Sequence, residues 1–374
     1  MDVLDTMSTQ GVVGMTQISR LQFRYLLVWI ILGTGIVALP FSIAQFTVRD
    51  GWLVPLFFFL GIAFVTAVGV LFIRTFPNQS LMNGLETAFG PWIGRAAEIW
   101  MLILFLILAG TLLRELSVFV ETTSLPRTPL YLISAVITVP IAFAAFQGLE
   151  VIGRLTEFLT PVALLIAVVL SVLSFQNVDF SQLRPILANG WTPVLRASLL
   201  PATTFPFEYI LTLQFAKSLS DVRAFGKDMF LVGAFLSITG IGIEIIVICT
   251  LGSSVAYLNL PIVEVIRGIR IGDFVQRLDT IYIMGVMATM VIKISTNLYV
   301  MSSGVQDVFR LPSTKHIAWP AGAAVWSANI VLFPNSSALQ EFIVFISPAY
   351  FGFSLVMVPL LAVLIHRVRI LKNS

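Results

Sequence analysis

Two short stretches decide the fold of this chain: ILGTGIVALP at residues 31–40 and PATTFP at residues 201–206. Both lie inside long apolar segments, where an uninterrupted helix would rarely carry paired glycines or paired prolines. Glycine leaves helical backbone angles at little cost, and proline removes a backbone donor and clashes with the preceding turn. Either stretch alone is compatible with close packing or a kink, and the two together favour breaks in helices that are otherwise long and apolar.

The composition places these helices in a membrane. Of 374 residues, 58% are hydrophobic and 11% are charged, and the mean hydropathy is +0.97. A soluble domain carries about 25% charged residues, so a chain this poor in charge cannot cover its surface for water. The sequence predicts an all-α integral membrane protein. Its basic residues form no run dense enough to indicate a nucleic-acid partner.

Ten windows of the sequence are suited to crossing a bilayer, since a transmembrane helix needs about 20 mostly apolar residues. Turn-forming residues such as Pro77-Asn78 and Pro334-Asn335 separate these windows. We expect one transmembrane domain over residues 1–374. The ten spans lie at about residues 19–46, 52–73, 97–120, 129–146, 158–175, 197–215, 229–251, 280–302, 317–333 and 340–365.

The two interrupted stretches take matching positions in the chain. They lie in the first and sixth spans, which open two five-span halves at residues 19–176 and 197–366. Transporters made of inverted repeats place their sites at such paired breaks, and unwound backbone at membrane depth persists where it lines a cavity. The alternative is that Gly33 and Gly35 permit close helix packing and that the prolines are kinks. The pairing favours a 5+5 inverted repeat with broken helices 1 and 6.

Ionisable residues inside spans are costly and indicate functional sites. Lys293 lies near the middle of the eighth span, Glu244 in the seventh, Glu208 in the sixth, and Arg114 and Glu115 in the outer half of the third. In a five-plus-five arrangement the eighth span packs against the first. The Lys293 ammonium would there replace a bound sodium ion or act as a proton-switched cation. The alternative is a structural ion pair with Glu244 or Glu208.

Charge also predicts orientation. Lys and Arg are more frequent in the connections on the side of the N terminus, which places both termini in the cytoplasm. The segment Arg267–Arg277 is typical of an amphipathic surface helix. The sequence has no H-E-x-x-H, Walker A or G-x-S-x-G motif and no Cys/His cluster. We therefore expect no enzyme, with no catalytic residue, cofactor or metal.

Several short stretches also occur in an order and spacing that a known family shares. They are Ile18-Ser19 with Gln22, Gly33-Thr34-Gly35-Ile36, Leu39-Pro40, Thr128-Pro129, Gly148-Leu149-Glu150 with Arg154, Leu183-Arg184-Pro185 with Gly190, Arg277-Leu278-Asp279 and Ile292-Lys293. Through them the chain resembles the B subunit of bacterial spore nutrient germinant receptors. That family is a branch of the amino acid–polyamine–organocation superfamily with the LeuT-type fold.

The resemblance implies a protein of the spore inner membrane that binds a small germinant, typically an amino acid. It implies that the protein triggers germination together with an A subunit and a lipoprotein C subunit, with both termini on the spore core side. The alternative is a proton- or sodium-coupled transporter of amino acids or amines, because the same pocket would serve both. A membrane enzyme would need a polar catalytic cluster at one depth, which the sequence lacks.

Carried over by position, the resemblance places the pocket at the two broken helices and the eighth span. Two further residues, on the third span, are chosen from their depth alone. The expected ligand-binding residues are Gly33, Thr34, Gly35, Thr203, Thr204, Phe205 and Thr289, with Phe105 and Ala109 from the third span. The expected intramembrane charges for coupling are Lys293, Glu244 and Glu208.

Overall fold

The computed structural model describes residues 17–270 and 277–373. Within these residues the chain is helical, and the single extended contact is an isolated bridge between Ile18 and Leu219. The α-helices are α1 (Arg20–Ala44), α2 (Val54–Thr75), α3 (Leu81–Phe89), α4 (Pro91–Thr123), α5 (Leu130–Gln147), α6 (Leu149–Ser174), α7 (Thr192–Thr203), α8 (Phe225–Leu251), α9 (Pro261–Arg267), α10 (Leu278–Phe309), α11 (Lys315–Leu332), α12 (Ser336–Glu341), α13 (Ser347–Phe351) and α14 (Val358–Asn373).

Tighter and wider helical turns extend or join several of these helices. Two π-helical segments, Phe342–Ile346 and Gly352–Met357, connect α12, α13 and α14 into one irregular stretch. The 3₁₀ segments are Gly51–Leu53, Phe175–Asn177, Phe180–Leu183, Pro206–Ser218, Val222–Ala224 and Gly252–Tyr257.

Eight stretches of the described residues are long and apolar enough to cross a membrane. This finding confirms an all-helical membrane protein. The eight stretches are Arg20–Ala44, Gly51–Thr75, Pro91–Thr123, Leu130–Gln147, Leu149–Asn177, Val222–Tyr257, Leu278–Phe309 and Ser336–Lys372.

The two other expected spans correspond to α7 with the 3₁₀ segment after it, and to α11. α7 ends at Thr203, and a 3₁₀ helix follows from Pro206 to Ser218, so no single helix covers this part of the chain. Pro206 stands at the start of the second piece, where its missing N–H costs least. α11 has 18 residues but includes Lys315 and Asn329, which make it less apolar. The total of ten spans stays a prediction.

The expected break in the first span is wrong. α1 is one α-helix from Arg20 to Ala44, and Gly33 and Gly35 both lie within it. A glycine in a helix interior lowers the stability of the helix by roughly 1 kcal/mol relative to alanine. Close packing of a neighbouring group against the glycine can explain why it is present. Such packing is present at Gly33, where a side chain of α10 passes directly over the glycine.

The start of α1 is held in place by local and distant bonds. The Ser19 hydroxyl accepts from the Gln22 backbone N–H, and the Gln22 side chain accepts from the Ser19 N–H, which forms a capping box. Just before it, the Ile18 N–H donates to the Ser218 carbonyl at 2.9 Å and the Ile18 carbonyl accepts from Ser220 at 3.0 Å. The first helix is therefore tied to the end of the 3₁₀ segment Pro206–Ser218.

α1 and α10 form the centre of the bundle. α1 packs against α6, α8 and α10, α2 packs against α7 and α8, and α4, α5 and α11 cover another side of α10. Leu26 and Leu27 of α1 and Ile294 and Leu298 of α10 are fully buried. α6 instead turns apolar side chains such as Phe158 outward, as a helix that faces lipid would.

Some expectations fall partly outside the described residues. The predicted domain begins at Met1, but description begins at residue 17, so the N terminus lies outside. Of the expected surface helix Arg267–Arg277, α9 includes only Arg267, and residues 271–276 lie outside. The division into two five-span repeats, 19–176 and 197–366, stays a prediction.

The close packing of α2 on α7 can be tested at Gly61. A Cβ atom there would overlap the backbone carbonyl oxygen of Ala202, which cannot move without shifting α7. We expect Gly61→Val to lower the free energy of unfolding by about 1–3 kcal/mol, the usual cost of overpacking, measured by thermal unfolding in detergent. Gly242→Val is the matched control, because a Cβ at Gly242 meets nothing within 4 Å. Equal melting temperatures for the two variants would contradict this packing.

Candidate functional site

A buried ion pair joins α10 to the 3₁₀ segment of the sixth span. Lys293 Nζ lies 2.7 Å from Glu208 Oε2, and the exposed fractions of the two side chains are 2% and 3%. The contact is a close ion pair rather than a directed hydrogen bond, since Glu208 Oε2 has no donor in hydrogen-bond geometry. Of the two partners that the sequence left open for Lys293, the structure selects Glu208 rather than Glu244.

The same ammonium also reaches α1, where it donates a short hydrogen bond to the Thr34 hydroxyl. Gly33 makes this approach possible. A Cβ atom at Gly33 would lie 2.9 Å from Lys293 Cδ and 3.4 Å from the Thr289 carbonyl oxygen. Any side chain at this position would push Lys293 away from its partners. Three elements therefore meet at Lys293: α1, the 3₁₀ segment Pro206–Ser218 and α10.

Charged groups hold α1 at the end where it begins. Asp228 of α8 forms ion pairs with Arg20 and Arg24, each at 2.7 Å. The Gln22 amide donates to Glu157 of α6 at 3.0 Å. These bonds attach the first turns of α1 to α8 and α6, at the end of the bundle that the charge pattern predicts to be cytoplasmic.

A second polar network involves the C-terminal part of α10. Asp307 accepts from the Ser80 hydroxyl at 2.6 Å and from the Gln214 amide at 2.7 Å. Gln214 also accepts from the Met82 backbone N–H at 3.2 Å. The network connects α3 and the 3₁₀ segment to α10, so the sixth span and α10 are bonded at two levels, Lys293 and Asp307.

Two cavities lie beside the middle of α1. The first, of about 180 Å³, lies among α1, α6, α8 and α10 and is lined by Trp29, Thr160 and Thr289 with mostly apolar neighbours; we name it the Trp29 cavity. The Trp29 indole N–H donates to the Thr160 hydroxyl at 2.7 Å. The second, of about 50 Å³, lies among α1, α2, α7 and α8 and is lined by Gly35 and Glu244 with apolar neighbours; we name it the Glu244 cavity. Mostly apolar walls with a few polar groups are typical of small-molecule binding sites.

The predicted ligand-binding residues divide into two groups. Gly35 borders the Glu244 cavity and Thr289 borders the Trp29 cavity. Thr203 donates to the Leu199 carbonyl at 2.5 Å, and the Thr204 hydroxyl lies 3.5 Å from that of Ser347. The residues that line neither cavity are Gly33, Thr34, Thr203, Thr204, Phe205, Phe105 and Ala109.

The physical reason for this division is that α1 stays helical. Its peptide groups at Gly33 to Gly35 are not freed by unwinding, and the space over Gly33 is filled by the Lys293 side chain. Phe105, Ala109 and Phe205 are fully buried in the helical packing. The ligand-binding role of all nine residues stays a prediction.

Sequence reasoning missed the Trp29–Thr160 contact and gave Glu115 no role. Both Glu115 carboxylate oxygens are buried without a hydrogen-bond partner, and the carboxylate lies within electrostatic range of Lys293 and Glu208. One signal was available in the sequence. The spans contain more acidic side chains than Lys293 alone can neutralise, so at least one of them needed a further explanation.

The comparison with known families gives a clear result. Residues 17–336, most of the chain, match the family described as "Spore germination protein". The chain belongs to this family. The resemblance drawn from the short motifs is therefore confirmed at the level of the family.

Individual relatives from this family align over most of their length. The chain is 26% identical over 336 residues to spore germination protein KB of Bacillus subtilis (strain 168), covering 85% of this chain and 87% of the relative. It is 26% identical to spore germination protein YndE of the same organism, covering 79% and 82%. It is 24% identical to spore germination protein XB of Bacillus anthracis, covering 71% and 74%.

Solved structures show the same architecture. The crystal structure of MhsT in complex with L-phenylalanine superposes with a TM-score of 0.61 at 16% identity, covering 94% of this chain and 99% of that one. A substrate-bound, outward-open Na⁺-coupled sialic acid symporter superposes with a TM-score of 0.62 at 14% identity, covering 91% and 89%. Both have the LeuT-type fold, so the predicted all-α membrane fold of LeuT type is confirmed.

Together these findings describe a multi-pass membrane protein of the germinant-receptor or permease type. The relatives and structural neighbours named here are germination proteins and transport proteins rather than enzymes. Within the described residues, no group of three or more His, Cys, Asp or Glu side chains is placed to hold a metal ion.

The buried ion pair generates a stability prediction. Lys293→Met leaves Glu208 buried without its counter-charge, and we expect it to lower the free energy of unfolding by about 3–5 kcal/mol. The double variant Lys293→Met/Glu208→Gln removes both charges and is expected to recover most of that loss. Thermal unfolding in detergent of the unaltered chain, the single variants Lys293→Met and Glu208→Gln, and the double variant measures the coupling. If the losses of the two single variants simply add in the double variant, the side chains act independently and the pairing is contradicted.

Proposed function

We propose that this chain is the membrane-embedded subunit of a spore nutrient germinant receptor. It binds a small germinant, an amino acid in the first instance, and binding triggers germination. Family membership over residues 17–336 supports this proposal, as do relatives that are germination proteins aligned over most of their length. A protein of the same fold holds L-phenylalanine, which supports a ligand of amino-acid size.

The observation that carries the proposal is the position of the Trp29 cavity beside the buried ion pair. Thr289 lines this cavity, and Lys293 lies one helical turn further along α10. A solute in the cavity therefore lies against the two helices, α1 and α10, that Lys293 and Thr34 join. A change in the packing of these helices would therefore change the contacts that they make with the bound solute.

Signalling requires that the germinant prefer one packing of the bundle over another. A ligand shifts such an equilibrium only by its difference in affinity for the two states. Contacts with Trp29 and Thr289 would supply that difference if α1 and α10 move relative to each other. A partner subunit would then recognise the altered surface, and no solute need cross the membrane.

The assembly follows the same proposal. The chain lies in the lipid bilayer of the spore inner membrane, with both termini on the core side. Its partners are the receptor A subunit and the lipoprotein C subunit. No nucleic acid or cofactor takes part.

A proton- or sodium-coupled transporter of amino acids or amines is the second candidate. Lys293 is the observation that favours it, because a buried ammonium between α1 and α10 is placed to exchange a proton as these helices move. A structural neighbour is described as a Na⁺-coupled symporter. Since the ammonium already supplies a positive charge here, proton coupling is the more consistent form of this candidate.

Germination of spores tests the first candidate and distinguishes the two cavities. Thr289→Ala changes the Trp29 cavity, and Gly35→Ala fills space in the Glu244 cavity, where its Cβ makes only ordinary contacts of 3.4 Å or more. We expect Thr289→Ala to raise the nutrient concentration that gives half-maximal germination by roughly tenfold, the effect of about 1.4 kcal/mol in binding. Release of dipicolinic acid over a panel of nutrients is the readout.

The matched control is Gly242→Ala, because that position is exposed and a Cβ there meets nothing. Protein levels in the spore membrane are compared for all variants. Deletion of the gene is expected to abolish the response to at least one nutrient. Normal germination of the deletion strain with every nutrient would refute the receptor proposal.

Uptake measurements separate sensing from transport. Labelled amino acids are added to the outside of proteoliposomes that contain only this chain, with and without an inward proton or sodium gradient. We expect binding without accumulation, because a sensor needs no turnover. Gradient-driven accumulation that Lys293→Met abolishes would favour the transporter instead.

A further inference from the structure

A third cavity, near the other end of α1, contains a buried carboxylate that the proposed function does not use. This cavity, of about 190 Å³, lies among the last turns of α1, the second half of α4, the segment before α9 and the start of the final span. We name it the Glu115 cavity. Its polar lining residues are Glu115, Ser42, Thr122, Asn259, Ser336 and Gln340.

Glu115 is the charged group of this cavity. The residue is 7% exposed, and neither carboxylate oxygen has a hydrogen-bond partner. Burying an ionised carboxylate without a partner is very costly, so such groups are paired, coordinated or neutral. Within the described residues no ion pair joins Glu115 to its sequence neighbour Arg114, whose guanidinium is in electrostatic range of Glu121 instead.

The nearby charges do not balance. Lys293 and Glu208 lie within electrostatic range of Glu115, but they already neutralise each other in a 2.7 Å ion pair. Ionised Glu115 therefore leaves this part of the bundle with an excess of one negative charge. A single positive charge in the adjacent cavity would cancel that excess.

Two of the neutral lining groups, the hydroxyls of Ser42 and Thr122, present acceptors rather than donors. The Ser42 hydroxyl donates its proton to the Leu39 carbonyl at 2.9 Å, and the Thr122 hydroxyl donates to the Val118 carbonyl at 2.8 Å. Each hydroxyl is left with oxygen lone pairs as its remaining capacity. One carboxylate with several neutral oxygens suits a monovalent cationic group, whereas Ca²⁺ sites draw on several carboxylates and six to eight oxygens.

We propose that the Glu115 cavity is a binding site for a small monovalent cation, either an alkali metal ion or a primary ammonium group, with Glu115 as its charged ligand and Ser42 and Thr122 as neutral oxygen ligands. The site is separate from the Trp29 and Glu244 cavities. The inference does not depend on the germinant-receptor proposal, since a receptor and a permease would both contain it.

Cation titration of the purified full chain tests the site. The melting temperature is measured in nanodiscs at constant ionic strength while N-methylglucamine chloride is replaced by sodium, potassium or methylammonium chloride. We expect a saturable rise with at least one small cation, because a ligand that binds the folded state stabilises it. A response to sodium or potassium identifies a metal ion as the occupant, and a response to methylammonium alone identifies an organic amine.

Two substitutions make the test specific. Glu115→Gln keeps the shape but removes the charge, and we expect it to raise the half-saturating cation concentration at least tenfold. Glu121→Gln is the matched control on the same helix, since Glu121 does not line the cavity, and it is expected to titrate as the unaltered chain does.

Ser42→Ala supplies a second variant if Glu115→Gln fails to fold, and a several-fold weaker affinity is expected for it. Equal stabilisation by N-methylglucamine, or an unchanged titration in Glu115→Gln, would mean an adventitious salt effect only and would overturn the proposal. An unchanged titration in Ser42→Ala, where Glu115→Gln does not fold, would overturn it as well. Because no nutrient is present, failure here leaves the germination experiments unaffected.

Discussion

The burial of one ammonium group constrains the centre of this bundle. Removing an ion from water costs several kcal/mol even after the protein relaxes around it, so Lys293 must keep both its carboxylate and its hydroxyl within reach. Glu208 and Thr34 meet that need from two other elements. Because Lys293 must reach both partners, there is no room for a side chain at Gly33. The same contacts bring α1, α10 and the sixth span together. The cavities beside α1 exist around this fixed point.

Much of the fold could be read from the sequence because its cause is local. Apolar windows of span length, the shortage of charge and the prolines at 201 and 206 are properties of short stretches, and the structure has helices at these places and a change of helix type after Thr203. The continuity of α1 could not be read in this way. Whether Gly33 breaks a helix or admits a neighbour depends on Lys293, and the Thr34–Lys293 contact spans 259 positions in the chain.

The site was predictable only in part for the same reason. Lys293 and Glu208 were recognisable because charge inside a span is rare, and the structure brings them together. The cavities have no local signature, since each is a gap among segments that are far apart in the sequence. Trp29 and Thr160 are bonded to each other in the wall of one such cavity, and neither residue type stands out in an apolar span. Glu115 was visible as a charge, but its missing partner was not.

The form of the sixth span determines which side chains share one line along the helix. A 3₁₀ helix repeats every three residues, so side chains three apart eclipse one another, and Glu208, Leu211 and Gln214 form a single straight row. At about 2.0 Å rise per residue the 13-residue segment Pro206–Ser218 extends about 26 Å, most of the roughly 30 Å hydrocarbon thickness. Glu208 holds Lys293 and Gln214 holds Asp307, both on α10. One edge of the segment therefore contacts α10 at two levels. In an ordinary α-helix of the same sequence, Gln214 would point away from α10.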